Sequence, residues 1–69
     1  MAPAIVRLFW DSVSQAHPNL LLDLDDAGLM SWLVDQVKNR SDLDSHQQND
    51  LSHYIGERLL LVREMADQN

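Results

Sequence analysis

The chain has 69 residues, 45% of them hydrophobic, and no cysteine, so it makes a single domain over 1–69 without disulfides or a zinc-finger spacing. Five Lys and Arg face 11 Asp and Glu, for a formal net charge of −6. With no basic patch, direct nucleic-acid binding and attraction to an anionic membrane are both disfavoured.

A domain this short buries only about 60% of its unfolded surface. It therefore depends on good helix packing, or on covering surplus apolar surface with a partner. Arg7 and Asp11 interrupt the apolar start of the chain, where a signal peptide needs an unbroken apolar stretch. The longest apolar runs, such as Leu59-Leu60-Leu61-Val62, fall far short of the roughly 18 residues that span a bilayer. The expected setting is cytoplasmic.

The apolar spacing is helical, and turn residues are too sparse for an all-β fold. The first helix is expected over about 3–16. Pro3 suits its first position, where a missing N–H costs nothing. Ile5, Phe9, Val13 and Ala16 share one face, with Val6 and Trp10 widening it. His17-Pro18 ends the helix, because the residue before proline is pushed out of the α region. Asn19-Leu20-Leu21-Leu22-Asp23-Leu24 reads as a linker. It carries too many leucines for a solvated loop and should lie over the core or a partner.

The second helix is expected over about 26–38. Asp25 is its N-cap candidate, and Leu24 with Leu29 forms a hydrophobic staple. Leu29, Leu33 and Val37 share its inner face, with Trp32 at the edge. The third helix is expected over about 45–66. Asp44 with Gln47 and Ser45 with Gln48 both match capping-box spacing. Leu51, Ile55, Leu59, Val62 and Ala66 form its stripe. Gly56 interrupts the pattern and suggests close approach of another backbone. The predicted fold is all-α: a small three-helix bundle or open helical array, with dimerisation as a way of completing it.

The tract Leu20-Leu21-Leu22-Asp23-Leu24-Asp25-Asp26 through Ser31-Trp32-Leu33, then Asp50-Leu51 and Tyr54-Ile55-Gly56-Glu57-Arg58 through Met65-Ala66, resembles short uncharacterised acidic helical proteins of cyanobacteria. The resemblance covers about two thirds of the chain. It implies a bacterial cytosolic setting and carries over no activity and no functional residue.

No sequence motif specifies a reaction. The serines lack a base-and-orienter pattern, no Gly-rich phosphate loop exists, and no cofactor is implied. A pocket of about 300 Å³ is also not expected in so short a chain. His46, Asp50 and His53 fall at i, i+4 and i+7 and form the one candidate metal constellation. Their simpler reading is a solvated polar face. Asp23, Asp25 and Asp26 lack the spacing of a calcium loop and read as capping residues. Arg63 with Asp67 reads as a solvated i, i+4 pair. Arg58 reads as part of the same ion-pair face or as an interface anchor.

Apolar and aromatic groups exceed what three short helices can enclose. The chain is therefore expected to be a non-catalytic interaction module that binds another protein or itself, most simply as a homodimer. The expected contact patch is Phe9, Trp10, Leu21, Leu60, Leu61 and Met65, since aromatics and large apolar groups anchor interfaces. The alternative is an acidic decoy whose carboxylates imitate nucleic-acid phosphates on a basic protein site. Salt should weaken decoy binding steeply and apolar binding much less.

Overall fold

Pro3 opens α1 (Pro3–Gln15) in the computed structural model, which describes residues 2–68. No side chain caps this start, and proline leaves one fewer orphan N–H to satisfy. The helix stops because Pro18 forces extended backbone on the residue before it. His17, directly before the proline, is accordingly extended with ψ 133°, and Ala16 is extended as well, with ψ 144°.

The same proline starts a second helix. The leucine tract expected as a linker is α2 (Pro18–Asp23), so the described residues hold four helices rather than three. Its cap comes from His17, whose Nδ1 accepts the Asn19 backbone N–H at 3.1 Å. One turn and a half of helix is unstable alone. Its stability comes from the buried Leu21 and from contact with the last helix.

Asp25 caps α3 (Asp26–Arg40) as expected, accepting the Gly28 N–H at 2.7 Å. Lys38 and Arg40 lie in the last turn, where the helix dipole favours cations. Arg40 also donates to Gln15 Oε1 at 2.6 Å, which ties the end of α3 to the end of α1. Asp44 and Gln47 form the capping box of α4 (Ser45–Asp67). Ser45 and Gln48 do not form the other candidate box. Gln48 Nε2 instead donates to the Leu43 carbonyl at 3.1 Å.

Asp26 meets Arg63 and Met30 reaches Gly56, so α3 and α4 run antiparallel. The core between the helices consists of Ile5, Phe9, Val13, Leu21, Leu29, Leu33, Val37, Leu51, Ile55, Val62 and Ala66. Leu59, expected on the α4 stripe, is only half-buried at its edge. Ser12 is the buried polar exception among the described residues, and its hydroxyl donates to the Leu8 carbonyl at 2.8 Å. The Cα radius of gyration is 11.2 Å, against about 11 Å for a compact chain of this length. The helices thus close into a bundle and do not splay into an open array.

Gly56 differs from expectation. A Cβ there would lie 3.2 Å from the Met30 methyl, so a flexible side chain approaches it, not a backbone. Glycine inside a helix costs about 1 kcal/mol relative to alanine, and Met30 has room to yield by rotating. Gly56→Ala should therefore raise the melting temperature by roughly 4–8 °C. Thermal unfolding followed by circular dichroism checks this, and a lower melting point would show that Met30 is held rigidly.

Candidate docking surface

Four large hydrophobic side chains are exposed among the described residues: Leu60 at 71%, Leu61 at 45%, Leu22 at 41% and Met65 at 38%. Three lie in the C-terminal half of α4, outside its inward stripe. Each α-helical residue is turned about 100° from the last. Leu60 and Leu61 therefore sit either side of the outward direction when Leu51, Ile55, Val62 and Ala66 face in. Glu57 and Glu64 occupy the space between them. Each glutamate is three or four residues from both leucines, so all four side chains are neighbours on the helix surface. Leu22 lies on α2, which Arg63 holds alongside the same part of α4.

Of the expected contact patch, Leu60, Leu61 and Met65 are exposed and share one helix. Phe9 and Leu21 are not at the surface, with exposures of 0% and 2%. Phe9 sits edge-on to Trp10 and Tyr54, with ring centroids 4.7 and 5.5 Å away. The stripe of Ile5, Phe9 and Val13 was its true signal, and that stripe faces the core. Leu21 points inward because helix formation in α2 turns it to the core and turns Leu22 outward. Leu22 is the residue the sequence reading missed, and its only signal was membership of a leucine-rich tract.

Trp10 is half-buried, and its Nε1–H donates to the Tyr54 hydroxyl at 3.1 Å. Trp32 is also half-buried and packs on the core. Arg58 lies 3.9 Å above the Tyr54 ring and 3.4 Å from Glu57. Phe9, Trp10, Tyr54 and Arg58 thus join α1 to α4 through edge-to-face and cation–π contacts.

Arg63 makes no described pair with Asp67. Its side chain is 24% exposed and turns toward α2. Nη1 donates to the Leu21 and Leu22 carbonyls at 3.1 and 3.5 Å. Nη2 donates to the Leu24 carbonyl at 2.7 Å and to Asp26 Oδ1 at 2.9 Å. One guanidinium therefore satisfies the free carbonyls at the end of α2, where the helix dipole also favours a cation. These partners are 37 to 42 residues away in sequence, and no local pattern announces them.

His46 Nε2 and Asp50 Oδ2 are 3.3 Å apart, but His53 does not join them. No three His, Cys, Asp or Glu among the described residues are placed to hold a metal ion. In the acidic cluster, Asp25 caps α3 and Asp26 binds Arg63.

The surface forms two open depressions, neither of them an enclosed pocket. One of about 510 Å³ is lined by Val34, Ser45, His46, Gln48, Asn49 and Ser52. No described hydrogen bond joins His46 to either serine, and its side chain is 84% exposed. The other, about 450 Å³, lies between the ends of α1 and α4 and is lined by Val13, Ala16, Leu21, Met65 and Ala66 among others. Met65 thus borders both this groove and the exposed leucines. No helix among the described residues is long and apolar enough to cross a membrane. The chain matches no family model, and neither curated proteins nor solved structures give a match.

Proposed function

We propose that this chain is a non-catalytic protein–protein interaction module, a regulatory adaptor or small subunit, acting in the cytoplasm. It docks a partner through the outer face of α4. The observation that carries the reading is Leu60, 71% exposed and adjacent to the exposed Leu61 on the longest helix. Paired apolar groups on a rigid element make a natural interface core, and Met65 extends the apolar area. Phe9 and Leu21 belong to the fold and are not part of the contact.

The acidic-decoy reading is less favoured, because Asp25 and Asp44 are occupied as caps and Asp26 by Arg63. The variant carrying Leu60→Gln and Leu61→Gln separates the two. Exposed positions tolerate polar groups, so it should keep its helicity and melt within a few degrees of the parent. Partner capture from the native cell should fall by at least about 30-fold, since losing one hot-spot side chain costs about 2 kcal/mol or more. Undiminished capture by the folded variant would contradict docking through α4 and favour the decoy.

A further inference from the structure

We infer that the partner on the outer face of α4 is an amphipathic helix whose apolar stripe is bordered by lysine and arginine, and that it is not a second copy of this chain. This rests on the proposed docking face and adds the charge of what covers it. Glu57 and Glu64 neighbour both exposed leucines, and the Glu57 side chain is 74% exposed. Glu64 and Asp67 are also exposed, and neither makes an ion pair among the described residues. Of the two cations of this segment, one is turned away and the other borders the face beside Glu57. Arg63 is turned to α2, and Arg58 lies over Tyr54 while offsetting part of the Glu57 charge.

A second copy fits this face badly. An antiparallel two-fold pair centred between Leu60 and Leu61 sets each Glu57 against the other copy's Glu64. A parallel pair sets each glutamate against its own equivalent. Either way four carboxylates crowd one small apolar contact, and like charges at an interface are strongly unfavourable. Each copy also brings its net charge of −6, which adds long-range repulsion. A helix with leucines between lysines or arginines fills the same space and pairs with the glutamates, as flanking charges do in coiled coils.

Two synthetic helical peptides test this, with identical leucine stripes and either Lys/Arg or Glu at the flanking positions. Their binding to the full chain is read by fluorescence anisotropy. The basic peptide should bind roughly tenfold or more tighter than the acidic one. Glu57→Lys with Glu64→Lys should invert that preference. Asp35→Lys with Asp42→Lys makes the same change in net charge at exposed positions elsewhere and should leave the preference standing. Leu60→Gln with Leu61→Gln should abolish binding of both peptides.

Equal affinity for the two peptides would overturn the charge inference and leave apolar docking intact. So would equal loss of preference in the two lysine variants. A wild-type dimer in sedimentation that becomes monomeric on replacing the leucines would show a second copy to be the occupant. Unchanged peptide binding by the leucine variant would overturn the docking face itself, and the charge inference with it.

Discussion

Replacing Phe9 with alanine should lower the melting temperature by roughly 15–30 °C, or leave no folded state to melt. Phe9 is fully buried and touches both Trp10 and Tyr54 at edge-to-face geometry. Truncating a buried phenylalanine costs about 3–5 kcal/mol, from lost transfer energy and the cavity left behind. Domains are stable by about 0.05–0.15 kcal/mol per residue, so a chain of this size has roughly 3–10 kcal/mol in all. The substitution therefore removes a large fraction of the total. Thermal melting by circular dichroism measures it directly. Melting close to the parent would mean that Phe9 lies at the surface after all.

Arg63→Ala should cost about 2–4 kcal/mol and release α2 before the rest of the bundle. The guanidinium serves three carbonyls and one carboxylate. Its loss strands the carbonyls of a helix too short to stand alone. Asp26 is a minor part of the effect, because its side chain is 78% exposed and exposed ion pairs contribute at most about 1 kcal/mol. Asp26→Asn should accordingly be mild. Arg63→Lys should recover only part of the loss, because one ammonium cannot match the spread of the fork. Hydrogen exchange reports the difference: amides of Leu20–Leu24 should exchange much faster in Arg63→Ala, with the α3 and α4 cores protected. Uniform loss of protection would show that α2 and the core open together.

The long helices were legible because each repeats its apolar spacing over three turns or more and carries a local start signal, Pro3 for α1 and the caps Asp25 and Asp44 for α3 and α4. Asp25 and Asp44 act within three residues of themselves, which a local pattern can reveal. The short helix was not legible. Six residues cannot display a helical period, and a leucine tract reads the same whether it coils or covers. That loss of register placed Leu21 at the surface and concealed Leu22. Phe9 went astray differently. Its stripe marked it as core, while the surplus of aromatics argued for an interface. The Trp10–Tyr54 hydrogen bond and the edge-to-face rings absorb that surplus within the fold. Leu60, Leu61 and Met65 were legible as surface groups because they fall off a stripe already filled by Leu51, Ile55, Val62 and Ala66. Arg63 was hidden because tertiary contact alone brings its partners to it.

The docking claim is tested most directly by amide chemical-shift mapping of the labelled chain during titration with the basic leucine-striped peptide. Shifts should concentrate on α4 from Gly56 to Met65. The Trp10 indole N–H, committed to Tyr54, should stay in place. Shifts centred on Trp10 and α1, with Leu60 and Leu61 unmoved, would contradict docking through the outer face of α4.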